Sequence, residues 1–527
     1  MLCDIYLTHV RLVMIFFIFN ERIKKLPIKA DNTCQQHLDF SYKTVIIHLT
    51  EMYFAEMYFG KLRLFMEEKF KGRTTELRIL ENKFNKDGFV MAILYGRRRI
   101  GKTSLINKFI SGHNCKCISF TAVERGEAEL LSMLTESVLT AVAPDLLGTV
   151  NFNSFEKLFD FIGKQAEKER IIFFIDEYPY LAKQCPYIQS VLQKQIDTNW
   201  KKGNMFFIIC GSLVSFMKDE VLSESAPLHG RSDLELKLRP FNYLETAEFL
   251  SSYSNEEKAI CYGLTNGVAK YIEQFDTKLS LEENIINQFY SIGGYFSDEQ
   301  IKTVITNERQ SPALYNSIIS AVATGHTKNN EIASCVGSDD ITYPLKILTK
   351  AEILEKRMSK KPYYVLNDSM LEFYFRYVNR ATSLINAEKG KLYFQSEVKD
   401  HIHDFMGKIF EKMAKEYLML HAGTEDFPLL TEVTDYQAVV IDEDKNQKQI
   451  EIDVIGKNAK NIILVGECKF KKSQFDKPEY EKLLDKIKYL PVTNPLICIF
   501  SLAGFTDYVK ANAKNCKLIE IDDMYEK

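Results

Sequence analysis

The sequence predicts an α/β protein in several parts: a parallel sheet wrapped by helices, a helical lid, a winged helix-turn-helix, and a second, C-terminal α/β unit. Three observations predict it. Apolar runs without alternation (Phe89–Tyr95, Ile171–Ile175 and Met205–Cys210) recur between helical stretches, which suits strands buried on both faces of a parallel sheet. A basic loop bounded by glycines, Gly96-Arg-Arg-Arg-Ile-Gly-Lys-Thr103, follows the first run and precedes a helical stretch, Ser104–Ile110. From about residue 395 the pattern returns to mixed α and β.

At 527 residues the chain has room for two to four domains, and 46% hydrophobic with 26% charged residues is ordinary for a soluble globular protein. A net charge of −3 provides no global basic field for nucleic acid. Eleven cysteines are scattered, and only Cys115 and Cys117 are close. Nothing completes a zinc site around them, so free thiols in a reducing cytoplasm are expected.

Residues 1–68 read as an N-terminal extension, non-native or disordered. Val13–Phe19 is apolar but too short to span a bilayer, and it lacks the basic start and cleavage site of a signal peptide. No clear membrane segment results. Either translation starts at Met57 or Met66 and the preceding residues are not native, or the segment associates weakly with membranes. The first reading is favoured, because recognisable patterning begins near Lys69.

Residues 69–241 read as the first core. Leu77, Ile79, Leu80 and Phe84 lie at helical spacing. The loop that follows fits G-x-x-x-x-G-K-[ST], the phosphate-binding pattern of P-loop NTPases, in the required strand–loop–helix setting. The backbone from Gly96 through Arg97, Arg98, Arg99, Ile100, Gly101, Lys102, Thr103 and Ser104 is the expected cradle for ATP phosphates. Lys102 would reach the β- and γ-phosphates, and the Thr103 hydroxyl would ligate Mg²⁺. A second strand (Cys117–Ala122) and a helix (Ala128–Val142) come next. The run Ile171–Ile175 ends in Asp176-Glu177: Asp176 suits the outer shell of the metal, and Glu177 suits polarising the attacking water. Ser212, after the next strand, could sense the γ-phosphate. Arg231, in His229-Gly-Arg-Ser232, is a candidate for stabilising transition-state charge.

Together, the loop, Ile175-Asp-Glu-Tyr178, Cys210-Gly-Ser-Leu213 and Pro227-Leu-His-Gly-Arg231 resemble the archaeal- and bacterial-type ATPase family related to AAA+ and STAND proteins, whose members carry a GRRR-x-GKT loop. Phe70-Lys-Gly-Arg73, followed by Glu76-Leu77, resembles the family motif near the adenine. Asn266-Gly-Val-Ala-Lys-Tyr271 resembles its G-G-x-P-x-Y segment, with Asn266 for the first glycine and Ala269 for proline. The resemblance covers about residues 69–527.

Residues 242–310 read as a helical lid and 311–380 as a winged-helix module. Glu331–Gly337 is a helix and turn. Asp339–Leu348 is a second helix that Pro344 breaks unless it lies in the first turn. Ile353–Arg357 and Tyr363–Leu366 form a wing, with Lys356, Arg357, Lys360 and Lys361 near its tip. Such a module can bind DNA or only mediate contacts between domains.

In residues 395–527 a helix (Phe405–Leu420) precedes strands at Glu432–Val440, Gln449–Gly456, Asn461–Lys469 and Leu496–Ser501. Asp453 and the pair Glu467 and Lys469 can converge on adjacent strands, with Glu411 on the helix completing a metal shell. Asp453 and Glu467 would hold the cation, and Lys469 would activate water. The set is similar to the PD-(D/E)xK nuclease core, in helix–strand–strand order. It also resembles the C-terminal domain of unknown function that accompanies this ATPase family. His401 and His403 face apart on a helix and are not expected ligands. The expectation is Mg²⁺-dependent ATP hydrolysis coupled to a nuclease-like, DNA-directed domain. The alternative is an ATP-dependent switch whose C-terminal domain binds nucleic acid or protein without cleaving. An oligomer is compatible with either.

Overall fold

In the computed structural model, residues 70–297, 312–338, 340–358, 362–441 and 446–526 are described. The expectations for Val13–Phe19, Met57, Met66, Asp339, Lys360 and Lys361 lie outside them. Helix α1 (Thr74–Phe84) leads to β1 (Val90–Tyr95). After the glycine-rich loop come α2 (Lys102–Ser111), β2 (Lys116–Thr121), α3 (Glu127–Val142), α4 (Phe155–Ala166) and β3 (Ile171–Asp176). Then follow α5 (Tyr178–Gln184), α6 (Ile188–Thr198), β4 (Met205–Gly211) and β5 (Leu234–Lys237), a short strand that apolar patterning does not mark.

These strands form one parallel sheet in the order β2-β3-β4-β1-β5. Every residue of β3 and β4 is buried, which is why neither alternates. On one face, Phe173, Phe207 and Met91 pack with α3 to α6. Trp200 is fully buried there, edge-on to Phe159, Phe173 and Phe207, and its indole N–H donates to Phe159 O at 3.0 Å. On the other face, Phe84 of α1 and Phe109 of α2 meet Phe206. Because β4 lies between β1 and β3, the C-terminal ends of all three are neighbours. Crevices at such strand ends are where open α/β sheets bind ligands.

The lid contains α7 (Asn255–Thr265) and α8 (Leu281–Phe289), each started by a capping box, Ser254 with Glu257 and Ser280 with Glu283. Asn266 ends α7 at φ 49°, a left-handed conformation that asparagine tolerates. The next module has α9 (Pro312–Ala323), α10 (Asn329–Val336) and α11 (Thr342–Lys350). Pro344 is the third residue of α11, where its missing N–H breaks no bond. Strands β6 (Leu354–Arg357) and β7 (Tyr363–Leu366) pair antiparallel as the wing. Arg357 departs from the expected basic tip: it pairs with Glu355 at 3.1 Å and reaches Asp435 of the C-terminal sheet at 3.5 Å. Among the described wing residues, exposed Lys356 remains.

Short helices, including α12 (Ser369–Phe373), lead into α13 (Ile402–His421). Strands β8 (Glu432–Ile441), β9 (Gln447–Asn458) and β10 (Asn461–Lys469) form an antiparallel meander. Helix α14 (Lys477–Ile487), β11 (Leu496–Ser501), α15 (Asp507–Asn512) and β12 (Cys516–Glu520) extend the sheet in parallel. Helix α13 packs directly on the lid. A Cβ at Gly263 would come within 2.5 Å of Met406 Sδ, and Tyr262 donates its hydroxyl to Glu416 at 2.7 Å. No described helix is long and apolar enough to cross a membrane.

Candidate nucleotide and carboxylate sites

The loop after β1 is shaped by its glycines. Gly96 has φ 155°, and a Cβ there would lie 2.4 Å from Leu238 O, so a side chain does not fit. Gly101, at φ 91°, is the N-cap of α2 and carries no side chain to cap it. The first-turn N–H groups of α2 are thereby available to an anion. Ile100 is fully buried, and its carbonyl accepts from Arg73 at 3.0 Å. Lys102 is buried; its ammonium donates to Gly96 O and Arg97 O, both at 2.8 Å, and burial lowers its pKa. Thr103 and Ser104 are exposed.

Strand β3 delivers Asp176 to this loop. The Thr103 hydroxyl donates to Asp176 Oδ2 at 2.6 Å, and the Glu177 N–H donates to Asp176 Oδ1 at 2.9 Å. A hydroxyl beside a carboxylate is a donor set for a hard divalent cation. Glu177 sits at φ 50°, so the chain turns sharply and presents its carboxylate to β4. There Ser212 donates to Glu177 Oε2 at 2.7 Å.

The three loop arginines reach three different places. Arg97 pairs with Asp368, the buried N-cap of α12, at 2.6 Å. Arg98 donates to the Tyr180 hydroxyl at 2.6 Å and to Ser212 Oγ at 3.3 Å. Arg99 lies against the Tyr271 and Tyr295 rings, 6.0 and 5.6 Å from their centroids, and its carbonyl accepts from Lys270 N–H at 3.1 Å.

In the C-terminal sheet, Gly466 pairs with Val454, and one residue further the register sets Asp453 opposite Glu467. Burial raises the pKa of both carboxyls from their ordinary values. Glu411 approaches from α13; burial, then the neighbouring Asp453, push it up to about 7. The expected metal shell of Glu411, Asp453 and Glu467 is nevertheless not assembled. Among the described residues, no three His, Cys, Asp or Glu side chains are arranged to hold a metal ion. Lys486 of α14 donates to both oxygens of Glu467 at 2.8 and 3.1 Å, and Asp453 accepts the Cys468 N–H at 2.9 Å. An ammonium thus neutralises Glu467 where a cation was expected. Lys469 lies 3.7 Å from Glu479.

Residues 70–275 match an ATPase domain found predominantly in Archaea, and residues 374–482 match a domain of archaeal and bacterial proteins of unknown function. An uncharacterized protein of Methanocaldococcus jannaschii is 31% identical over 361 residues, which is 66% of this chain and 77% of the relative. The chain belongs to this archaeal-type ATPase family. A second, uncharacterized ATP-binding protein of that organism is 49% identical over 47 residues, 9% of this chain and 80% of its own length. Among solved structures, a Walker-type ATPase of Pyrococcus abyssi aligns with TM-score 0.43 and 18% identity, covering 59% of this chain and 97% of that one. The ORC2 protein of Aeropyrum pernix aligns with TM-score 0.40 and 12% identity, covering 60% and 95%.

Not every expected site residue of this ATPase meets the loop. Asp233 bonds to Met91 at the N-terminal end of the sheet, so Arg231 lies at the edge opposite the phosphate loop. It pairs there with Asp197 at 2.7 Å and donates to Pro227 O at 2.9 Å. Within one chain Arg231 therefore does not face the phosphates. Sequence reasoning missed Tyr180, Asp368 and Lys486, because each acts through a fold contact and lies in no motif. His403 pairs with Glu256 at 2.8 Å, a lid contact rather than a metal ligand.

Proposed function

We propose that this ATPase hydrolyses ATP at the Gly96–Thr103 loop with Mg²⁺, and that the nucleotide state controls a nuclease-like C-terminal domain directed at DNA. The observation that carries the hydrolytic part is the contact between the Thr103 hydroxyl and Asp176, with Glu177 one residue further on. Thr103 and Asp176 would hold Mg²⁺, which when bound draws charge from the phosphate oxygens. Lys102 exchanges its loop carbonyls for phosphate oxygens. Glu177 orients a water and accepts its proton as the oxygen attacks the γ-phosphorus. The bond to the β–γ bridging oxygen breaks, and ADP and phosphate leave. A cytoplasmic setting suits ATP and the free thiols of the described cysteines.

Coupling is supported by contiguity. Arg97 pairs with Asp368; Ser369, the next residue, donates to Gly263 O at 2.6 Å; and Lys412, next to Glu411, donates to Asn266 Oδ1 at 3.2 Å. Phosphate loop, lid and carboxylate-bearing helix thus share one set of polar contacts. A second reading, a switch that binds DNA or protein without cutting, is favoured by the Lys486–Glu467 pair, which occupies a carboxylate that a nuclease metal needs. Cleavage of single- and double-stranded DNA with Mg²⁺ or Mn²⁺, with and without ATP, separates the two. Cutting that Asp453→Asn abolishes supports the nuclease; DNA binding without cutting in any condition supports the switch.

A further inference from the structure

Beside the phosphate loop lies a cavity of about 60 Å³, lined by Arg97, Arg98, Arg99 and Ser212. Its other walls include Val268 and Tyr271, which follow the lid helix, and Ala351 and Ile353 of the winged module. A water needs roughly 10–15 Å³ of such space, so the cavity admits a guest of oxyanion size and no nucleoside.

Among the described residues the charges around it do not balance. Arg97 is neutralised by Asp368. Among the described residues no carboxylate pairs with Arg98 or Arg99. Among the described residues, Arg98 donates to the hydroxyls of Tyr180 and Ser212, and Arg99 meets the Tyr271 and Tyr295 rings and hydrogen-bonds the Tyr271 side chain. Two half-buried guanidiniums held on one small cavity repel each other, and a tetrahedral oxyanion accepting from both forks relieves that repulsion. Ser212 forms the border: it lines the cavity, and its hydroxyl donates to Glu177. The nucleotide's own cradle would use backbone N–H groups of the loop and α2, whereas this cavity lies among residues that the arginine side chains reach, Ser212 for Arg98 and Tyr271 for Arg99.

We propose that the cavity is a second oxyanion site, separate from the nucleotide cradle, that holds the inorganic phosphate released from ATP. The product role rests on hydrolysis at the loop. Because the lid-proximal segment and the winged module both supply walls, departure of phosphate, rather than bond cleavage, is the event both modules feel.

The test is equilibrium binding of radiolabelled inorganic phosphate to the full chain loaded with Mg²⁺, ADP and beryllium fluoride, so that the γ-position is already filled. Stoichiometric phosphate binding is expected. It should weaken by about tenfold or more in Arg98→Ala and in Arg99→Ala, each of which removes a charge-assisted donor. Thermal unfolding of each variant reports that it is folded, and Arg99→Lys should retain part of the binding because the charge remains. Absence of phosphate binding by the wild-type chain in that state overturns the proposal, whatever the variants do. So does binding that neither alanine substitution changes. Failure of the hydrolysis reading looks different: no ATP turnover, with Arg99-dependent phosphate binding intact in the nucleotide-free chain and in Lys102→Ala.

Discussion

Arg97 of the phosphate loop lies 2.6 Å from Asp368, a carboxylate with no exposed side-chain surface that also accepts the Leu371 N–H at 3.1 Å and so caps α12. One side chain thereby ties the nucleotide loop to the helical segment leading into the C-terminal domain. Breaking a buried pair from one side leaves an uncompensated charge. Asp368→Asn keeps the capping oxygen but loses the charge, and should destabilise the chain by about 3 kcal/mol. Urea unfolding checks this. Adding Arg97→Gln should recover part of the loss; a double variant as unstable as the sum of the two single variants argues against a direct pair.

Lys102→Ala should lose ATP binding. Glu177→Gln should keep binding, while turnover falls by roughly 10²–10⁴-fold, the usual scale for a lost general base. Nucleotide binding and phosphate release measured side by side check both. Wild-type turnover in Glu177→Gln would move the base elsewhere.

Ser212 donates to Glu177 and accepts from Arg98. Ser212→Ala should therefore lower kcat by about tenfold with little change in KM, the effect of one lost hydrogen bond on a positioned carboxylate. Tyr180→Phe, which removes a partner of Arg98 only, should have a smaller effect in the same direction. Steady-state kinetics decide it, and a change confined to KM contradicts the positioning role.

Lys486→Ala strands the buried Glu467 carboxylate without its ammonium. A loss of about 3 kcal/mol in stability is expected, largely rescued by adding Glu467→Gln, which removes the charge that the substitution exposed. Thermal unfolding of the single and double variants checks it. No rescue would mean that Lys486 matters for its packing.

Arg231→Ala should cost less than about 1 kcal/mol, because its pair with Asp197 is partly solvated, and should leave the turnover of a dilute, monomeric chain unchanged. A large fall in that turnover contradicts its position at the far edge of the sheet.

Much of the ATPase core is legible in one dimension. Gly96, Gly101, Lys102 and Thr103 work through local backbone geometry, and Asp176 ends a strand whose complete burial shows as an unbroken apolar run. The small strand β5 was not legible, because Leu234–Lys237 is short and only half-buried. Pro344 is ambiguous in the sequence, since a proline is harmless in a first turn and disruptive after it, and only the folded chain starts α11 at Thr342.

Composition and motif spacing by themselves determined the nucleotide loop, the parallel sheet beneath it and the mixed C-terminal sheet, because local periodicity and short-range spacing encode those features. Tertiary structure alone decided where charges meet. It separated Arg97, Arg98 and Arg99 into three different partnerships, sent Arg231 away from the loop, and brought Lys486 onto Glu467. Each of those pairings joins residues distant in sequence, and electrostatic energy depends on distance and burial, which only the folded chain defines.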